Sequence, residues 1–510
     1  MIPGFATADG TAAFARSHPD LAFKPLGTTE LVVSTAGFGG YRISVGVPAH
    51  AAALEKALDG GINLIDTSAN YADGGSERLV GEILHKLIDA GRIRRAQVVV
   101  VSKGGYIQGA NDVLRRQRET EGRPFEEVVA YADGLRHCIH PDYLEDQIGR
   151  SLERLGLETI DGYLLHNPEY YLGWAWKQKQ DAKSAREEYY RRIKSACNHL
   201  ELEVARGRIR FYGISSNTFP APSDDPEFTS LHRVLEIVRS LSDDHYFKLI
   251  QMPFNLLEAG AILEKNQPDG RTVLALAHAN QLGVLINRPL NAFTRKRMVR
   301  LASIQVRGRM DYQAIIQRIK ELAASETRLW RKILPGLDTI PNGIKVRIKQ
   351  QACFAESLKH HWRSFGSYER WREAKDGIFV PRVQGVMNYL QPLSEDNPDL
   401  TAWIKAHNKI LDQAFVAVAS IYTDDAVALE KKIVAAVNRA DEDWSCPGTL
   451  SRKAIHALAS TTGVSAVLVG MRQKTYVEEV LREMSRAHPQ TERVDSWRRL
   501  HDGLATVFKE

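Results

Sequence analysis

The chain has 510 residues, of which 44% are hydrophobic and 25% are charged, an ordinary globular composition that suits two or three cores or one large fold with insertions. Its four cysteines form no Cys-x-x-Cys pair, and its net charge of +6 comes from intermixed basic and acidic residues, which argues against a disulfide framework, a cysteine-rich zinc site and nucleic-acid binding. Because the sequence shows neither a signal-like start nor an apolar stretch long enough to cross a bilayer, we expect a cytoplasmic protein that does not enter a membrane.

Short apolar runs alternate with amphipathic helical patterns along most of the chain. The first predicted strand is VVSTAGFGG, and the helix after it begins near Pro48 and ends at Gly60-Gly61. QVVVVSKGG is an almost continuous β-branched run, as expected of a strand covered on both faces. The other predicted strands are INLIDTS, DGYLLH, RIRFYGISS, FKLIQMPFN, VLINRPL and VSAVLVGM. Eight βα units predict an α/β fold, a (β/α)8 TIM barrel rather than an open sheet.

Three segments exceed what such a barrel needs. The largest lies before the eighth strand and consists mainly of helical patterns, so we expect a large, mostly helical insertion there, with a surface for contact with a second copy or a partner. The predicted organisation is a polar N-terminal leader (1–21), a barrel with strands one to seven (22–294) and insertions at about 107–140 and 168–190, a helical lobe (295–445), and a closing part with strand eight and C-terminal helices (446–510).

Four polar side chains fall at or just after the carboxyl ends of strands two, three and four, where barrels of this class carry their chemistry. They are Asp66, Tyr71, Lys103 and His166. A tyrosine is a poor acid or base near neutral pH unless a neighbouring cation lowers its pKa, and Lys103 is placed to do so. Asp66 would keep that lysine charged, and His166 would offer an imidazole N–H to a substrate oxygen. The set predicts an acid–base site for a carbonyl and alcohol pair.

Each of these residues also has a structural explanation when taken alone. Asp66 could be a helix N-cap, Tyr71 a rim aromatic, Lys103 a solvated loop cation and His166 a hydrogen-bonded core histidine. Their placement on one face of the predicted barrel, in consecutive strands, favours a functional interpretation.

In these motifs the sequence resembles the aldo-keto reductases, over roughly residues 22–294 and 450–485. The similar segments are LGTTELVVSTAGFGG, GGINLIDTSANYADGGSERLVGEIL, VVVVSKGG, SLERLGLETIDGYLLHN, GRIRFYGISSNTF, QMPFN, INRPL and VLVGMRQKTYVEEVL. The resemblance implies that Tyr71 is the general acid/base, that Lys103 and Asp66 tune it, and that His166 orients the carbonyl. It further implies an NAD(P)(H) cofactor and direct hydride transfer.

The resemblance also implies where that cofactor binds. Ser215 and Ser216 stand in the place of a Ser-Asn pair, with Asn217 one residue on, and Gln251 matches a carboxamide-binding glutamine. Asn287 begins a segment that replaces the usual Tyr-Ser-Pro-Leu, so a stacking aromatic is missing there. The remaining predicted cofactor contacts are Gly40, Tyr41, Asn167, Arg288, Pro289, Leu290, Gly470, Met471, Arg472, Gln473 and Glu479.

Arg472 could hold a 2′-phosphate with its two-pronged guanidinium, which favours NADP(H) over NAD(H). Aromatic residues near the predicted mouth are candidates for a substrate wall, or for packing beneath the first insertion; the two interpretations stay open. They are Tyr41, Tyr106, Tyr170, Trp174 and Trp176. We expect no metal, since the HCIH segment (137–140) has no second cluster of suitable spacing.

The sequence therefore predicts an oxidoreductase acting on a small carbonyl or sugar substrate, either as a carbonyl reductase or as a sugar 1-dehydrogenase. The alternative is a regulatory or scaffold module that binds the nucleotide with little turnover.

Overall fold

Eight parallel strands close into a barrel in the computed structural model of the chain, which describes residues 1–293, 298–303 and 310–508. Each barrel strand pairs with the barrel strands that come before and after it in the chain, and the last barrel strand pairs with the first. In chain order they are β1 (Ala36–Gly39), β2 (Leu64–Asp66), β3 (Val99–Gly104), β4 (Ile160–His166), β5 (Ile209–Ser215), β6 (Phe247–Pro253), β7 (Gly283–Asn287) and β8 (Ala466–Val469). The predicted (β/α)8 architecture is confirmed.

The barrel strands are buried almost throughout, which explains their continuous apolar character. In β3 every residue from Val99 to Gly104 is buried. Leu64, Val101, Leu164 and Leu249 contribute to one core cluster inside the barrel. This packed interior leaves the strand ends as the places where polar side chains can lie.

The register of the strands brings particular polar residues to one end. His166 of β4 lies beside Ser215 of β5, and Ser215 lies beside Gln251 of β6. On the other side of the barrel, Gly39 of β1 lies beside Asp66 of β2. The carboxyl ends of β1, β2, β4, β5 and β6 therefore meet at a common mouth.

Helices surround the barrel in the expected alternation. Those of the barrel unit are Ala8–Arg16, Pro48–Asp59, Gly75–Asp89, Ala110–Thr120, Pro141–Leu155, Tyr170–Lys177, Ala182–Ala205, Leu231–Leu241, Gly260–Leu263, Val273–Ala279, Leu450–Ala459, Lys474–Met484 and Val494–Val507. None of the helices in the part of the chain that the structure describes is long and apolar enough to cross a membrane.

The first residues of the chain differ from the polar leader that the sequence predicts. They include a helix, Ala8–Arg16, whose Phe14 is buried, and the Ala6 N–H donates to Asp161 Oδ1 at 2.7 Å. The first predicted strand is also divided, because Val32–Ser34 pairs antiparallel with Phe23–Pro25 and only Ala36–Gly39 joins the barrel. A single buried aromatic among small residues is too weak a pattern to predict this packing.

Two further segments stand at the mouth. After β3, three short strands form an antiparallel sheet, Tyr106–Ile107, Leu135–His137 and Val129–Ala132, with Leu135–His137 in the centre. After β4, the helix Tyr170–Lys177 is followed by a long helix that begins at Ala182, where the Asp181 carboxylate accepts the Ser184 N–H at 2.8 Å.

The chain divides into two compact units, Met1–Arg297 with Ala436–Glu510, and Met298–Ala435. Between β7 and β8 it forms the strands Asn291–Phe293 and Met298–Arg300 and then helices, as predicted for the insertion. These helices are Tyr312–Arg328, Asn342–Ala352, Ala355–His361, Tyr368–Ala374, Val380–Leu390 and Pro398–Ala440. The second unit has its own core, which includes Trp371 and Trp403. The predicted start of the lobe at residue 295 lies outside the described residues.

Candidate active site

A buried ion pair joins β2 to β3 at the mouth of the barrel. The Lys103 ammonium lies 2.7 Å from Asp66 Oδ1 and 2.8 Å from Oδ2, and it also donates to the Thr67 carbonyl at 2.8 Å. Lys103 is fully buried and Asp66 is 4% exposed. Burial alone would favour the neutral amine, but the Asp66 carboxylate outweighs it and the pKa of Lys103 is raised. Lys103 is therefore a charged lysine held inside the protein.

Tyr71 lies within reach of this lysine. Lys103 Nζ donates to the Tyr71 hydroxyl at 3.3 Å. Part of the tyrosine side chain is exposed, yet desolvation around its hydroxyl raises the pKa of Tyr71; the Lys103 charge opposes that shift and the Asp66 charge adds to it. The expected lowering of this pKa is therefore wrong in direction, since burial exceeds the effect of the cation. Tyr71 is a neutral phenol at pH 7, which suits a proton donor.

His166, at the end of β4, completes the group. Its Nδ1 lies 3.0 Å from Ser68 Oγ, and its ring faces the Tyr71 ring edge-on with centroids 5.9 Å apart. Burial holds the pKa of His166 well below its ordinary value, and the charge of Lys103 adds to this effect. The imidazole is thus neutral at pH 7. All four side chains predicted from the strand ends lie together.

Three predicted cofactor residues connect to the same group through hydrogen bonds. The Gln251 amide donates to Asp66 Oδ1 at 2.7 Å. Its own oxygen accepts from Ser215 Oγ at 3.0 Å and from Asn287 Nδ2 at 3.3 Å. A continuous polar chain therefore runs from β7 across β6 to the ion pair of β2 and β3.

Other predicted cofactor residues have different partners. Ser216 Oγ lies 3.1 Å from Thr218 Oγ1, and the Asn217 N–H donates to the Glu169 carboxylate at 2.8 Å. The Arg288 guanidinium pairs with Glu258 at 2.9 Å. The Ser216 hydroxyl and the Arg288 guanidinium are therefore engaged by partners outside the polar chain around Gln251.

The predicted cofactor residues after β8, from Gly470 to Gln473, are partly exposed at the surface. Gly470 and Gln473 are exposed, Met471 is buried, and Arg472 is half-buried. Glu479 accepts a hydrogen bond from Ser451 Oγ at 2.6 Å and another from Thr449. Its carboxylate thus bonds to two hydroxyls at the start of the helix Leu450–Ala459, a structural contact that the family pattern did not predict.

Aromatic residues form one wall beside His166. The Tyr106 hydroxyl donates to the Tyr170 hydroxyl at 3.0 Å and accepts from Asn167 Nδ2 at 2.8 Å. The Tyr106 ring lies edge-on to His166 with centroids 4.7 Å apart, and Tyr41 lies 5.3 Å from the Tyr71 ring. The predicted pocket tyrosines therefore surround the candidate catalytic group.

The two predicted tryptophans lie elsewhere on the same insertion. Trp174 packs against Tyr171 with ring centroids 5.8 Å apart, and the Trp176 side chain is 63% exposed. The Trp174 contact lies within its own helix, Tyr170–Lys177, so the choice between a substrate wall and packing beneath the first insertion stays open for both tryptophans.

Sequence reasoning missed three residues that hold this site in place. Ser68 contacts His166, as described above. His137 Nε2 lies 2.7 Å from the His166 carbonyl, across Gly105, whose φ of +151° and lack of a side chain leave the space that the imidazole occupies. Glu169 is 1% exposed, and burial raises its pKa to about 7. Ser68 and His137 stand in segments that the sequence analysis singled out, but their roles here could not be read there because they depend on tertiary contacts.

Replacing Glu169 with glutamine is expected to stabilise the protein at pH 8 by up to about 3 kcal/mol, and to have little effect near pH 4.5. The pKa of this carboxyl rises on folding from its ordinary 4.5 to about 7. The Glu169 carboxyl therefore costs no native stability below pH 4.5, and this cost develops as pH rises from 4.5 through 7, whereas a glutamine stays neutral throughout. Urea unfolding at both pH values measures the difference. Glu187→Gln, at an exposed position of the helix Ala182–Ala205, is the matched control, and an equal effect of Glu169→Gln at both pH values would contradict the assignment.

The fold and the site together define a (β/α)8 barrel whose mouth carries a tyrosine beside a buried Lys–Asp pair and a neutral histidine. The sequence profile of the Aldo/keto reductase family matches residues 31–325. The chain belongs to the aldo/keto reductase family, as the resemblance predicted.

Several characterised proteins are similar to parts of the chain. An NADH-specific methylglyoxal reductase from Escherichia coli is 34% identical over 151 residues, which is 28% of this chain and 40% of that protein. A D-threo-aldose 1-dehydrogenase from a Pseudomonas species is 31% identical over 169 residues, 32% of this chain and 43% of that protein. The chain thus spans less than half the length of these relatives. Among solved structures, a glycerol dehydrogenase from Gluconobacter oxydans is 16% identical, with 96% of each chain covered and a TM-score of 0.45.

Proposed function

We propose that the protein is an NAD(P)(H)-dependent oxidoreductase that interconverts a carbonyl and an alcohol. The observation that carries this proposal is the contact between the Tyr71 hydroxyl and the buried, charged Lys103, which Asp66 holds in place. This arrangement supplies a phenol next to a fixed positive charge at the mouth of the barrel. Direct hydride transfer and Tyr71 as the general acid/base follow from it by family resemblance.

In the reduction direction, Tyr71 donates its proton to the carbonyl oxygen as that oxygen gains negative charge. The phenolate that remains is stabilised by Lys103, at 3.3 Å. Because the lysine is already held by Asp66 and the Thr67 carbonyl, it needs no reorganisation during the reaction. The alcohol is oxidised by the reverse of these steps.

His166 orients the same carbonyl oxygen. The Ser68 hydroxyl lies 3.0 Å from His166 Nδ1 and 2.7 Å from Asn70 Oδ1. The Ser68 hydroxyl has a single proton, which it donates to Asn70 Oδ1, so in this arrangement it accepts from His166 Nδ1–H. If the hydroxyl turns to donate to Nδ1 instead, the imidazole proton resides on Nε2 and can be donated to the substrate. The neutral state of His166 makes this tautomer available at pH 7.

The residues around Gln251 fit the carboxamide of a nicotinamide. Asn287 Oδ1 is a buried acceptor that has no hydrogen-bond partner among the described residues. A carboxamide N–H would satisfy it, and the Ser215 hydroxyl and the Gln251 amide lie in the same hydrogen-bonded chain. When bound, the nicotinamide supplies or accepts the hydride.

The substrate is a small carbonyl compound or a sugar. The wall of Tyr106, Tyr170 and Asn167 presents hydroxyl and amide groups beside His166, which suits a substrate with polar substituents. Relatives whose names specify methylglyoxal reduction and aldose oxidation support both directions of this chemistry. Arg472 favours NADP(H) over NAD(H), although one of those relatives is NADH-specific.

A nucleotide titration followed by a substrate panel tests the proposal. We expect the purified protein to quench or shift NADPH fluorescence on binding and then to oxidise NADPH with aldehydes or ketones, or reduce NADP⁺ with aldoses. Arg472→Ala should weaken NADPH about 10- to 100-fold more than NADH, because a charge-assisted pair with the 2′-phosphate is lost.

Arg482→Ala, an exposed arginine on the following helix, is the matched control and should bind both nucleotides like the native protein. Equal effects of Arg472→Ala on the two nucleotides would contradict the NADP(H) preference. Tight binding without turnover on any substrate would favour the regulatory module instead, and absence of binding would contradict both functions.

A further inference from the structure

Three potential metal ligands meet away from the mouth of the barrel. They are His456 on the helix Leu450–Ala459, Glu483 on the helix Lys474–Met484, and His488 just after that helix. Glu483 Oε1 lies 3.1 Å from His456 Nδ1 and 3.7 Å from His488 Nε2, and the three atoms all lie within 4.8 Å of one another. The three residues are buried.

His488 is the member of this group that ordinary protein contacts leave unexplained. The residue is 9% exposed, and its side chain is 1% exposed. Neither of its ring nitrogens has a hydrogen-bond partner within the described ranges 1–293, 298–303 and 310–508. A buried imidazole without partners loses the hydrogen bonds that water would supply, which costs free energy. A metal ion bound to a ring nitrogen of His488 would offset that cost.

The other two ligands are held in orientations that suit a metal ion. His456 Nε2 lies 3.2 Å from Asp443 Oδ2, so the proton can reside on Nε2 and leave Nδ1 as a lone-pair donor. Glu483 Oε2 accepts from Arg452 Nε at 2.9 Å, which directs Oε1 towards the two imidazoles. In zinc sites a ligating histidine commonly donates its other N–H to a carboxylate, and a ligating carboxylate commonly accepts a hydrogen bond from a further residue. Asp443 and Arg452 are placed to act in these two ways here.

We propose that His456, Glu483 and His488 bind a divalent transition-metal ion of the zinc type. Two imidazole nitrogens and one carboxylate oxygen are a ligand set that zinc accepts, with a fourth position for water. Ligand atoms of a tetrahedral zinc site lie about 3.3 Å apart; the two separations from Glu483 Oε1 are 3.1 and 3.7 Å, and the three atoms all lie within 4.8 Å of one another, so the imidazoles would move inward on binding. The site is separate from the candidate catalytic group.

The position of the site indicates a structural role. Its two helices come before and after β8, the strand that closes the barrel. The first helix ends at Ala459 and β8 begins at Ala466, so the carboxyl end of this helix leads into the amino end of β8. The Lys24 ammonium donates to the carbonyls of Ala459 and Val464 at this junction. In (β/α)8 barrels that end serves stability rather than catalysis. A bound metal would therefore fasten the closing strand.

Zinc titration of the full-length protein, first treated with a chelator and then dialysed, tests the proposal. We expect one Zn²⁺ per chain by calorimetry, a higher Tm with zinc, and intense visible absorption when Co²⁺ replaces zinc. His488→Ala should weaken zinc at least about 100-fold and abolish the Tm shift. Because the His488 ring nitrogens have no hydrogen-bond partner among the described residues, replacing the ring should leave the metal-free protein folded, as circular dichroism would show.

His501→Ala removes an exposed histidine of the helix Val494–Val507 and is the matched control; it should bind zinc like the native protein. The proposal is overturned if the native protein shows no stoichiometric zinc binding, or if His488→Ala equals it in affinity and Tm shift. Should His488→Ala not fold, weak Co²⁺ absorption of the octahedral kind in the native protein would overturn the proposal on its own.

Discussion

Tyr71→Phe is expected to lower kcat by about two to four orders of magnitude and to leave the Kd for NADPH nearly unchanged. The substitution removes the hydroxyl that contacts Lys103, while the ring keeps its edge-on contacts with Tyr41 and His166. Steady-state kinetics on the best substrate of the panel, together with nucleotide fluorescence, measure the two quantities separately.

Tyr246→Phe is the matched control for this variant. Tyr246 is 44% exposed and precedes β6, at the opposite end of that strand from Gln251. The Tyr246→Phe variant should therefore have the same kcat as the native protein. Near-native kcat in Tyr71→Phe would remove the proposed acid/base, whereas loss of nucleotide binding in the same variant would indicate a disturbed pocket rather than lost proton transfer.

Lys103→Met is expected to reduce the free energy of unfolding by about 3–5 kcal/mol and to abolish turnover. Removal of the ammonium leaves the Asp66 carboxylate buried, with the Gln251 amide donating to it at 2.7 Å and, among the residues that the structure describes, no opposing charge in contact. A buried charge without its counter-ion is costly because the protein interior solvates it poorly. Urea unfolding monitored by circular dichroism measures the loss.

Two further variants isolate the buried charge as the cause. Lys103→Met combined with Asp66→Asn should recover much of the lost stability, since no charge then remains buried, but it should stay inactive. Lys86→Met breaks a pair with Glu55 in which the lysine is 57% exposed, and this change should cost about 1 kcal/mol or less. If Lys103→Met were no more destabilising than Lys86→Met, the importance of the buried pair would be disproved.

The barrel could be predicted from the sequence because its strands carry strong local patterns, as in the fully buried VVVSKG run of β3. The four residues of the candidate catalytic group could be placed for a related reason. Asp66, Lys103 and His166 stand at strand ends, and closure of the barrel brings strand ends together whatever the details of packing.

Features that depend on packing could not be predicted in this way. Whether the pKa of Tyr71 rises or falls depends on the balance between burial and the Lys103 charge, which the sequence does not contain. Glu169 follows His166 closely along the chain, yet only the fold shows that it is buried. His456 and Glu483 are separated by 27 residues, a spacing that matches no familiar metal-binding motif. Their contact therefore becomes evident only in the structure, where the helices before and after β8 pack together.

The helical insertion also affects how the protein is made. The Val284 N–H of β7 bonds to Ser465, at the start of β8, across 181 residues of sequence. A ribosome adds about 5–20 residues per second, so β7 leaves it roughly 10 to 40 seconds before its partner does. During that interval β1 and β7 both present unpaired edges, which invite association with other nascent chains. Because the insertion has a core of its own, we expect it to fold before β8 is made, which would reduce the length of unfolded chain between the two strands.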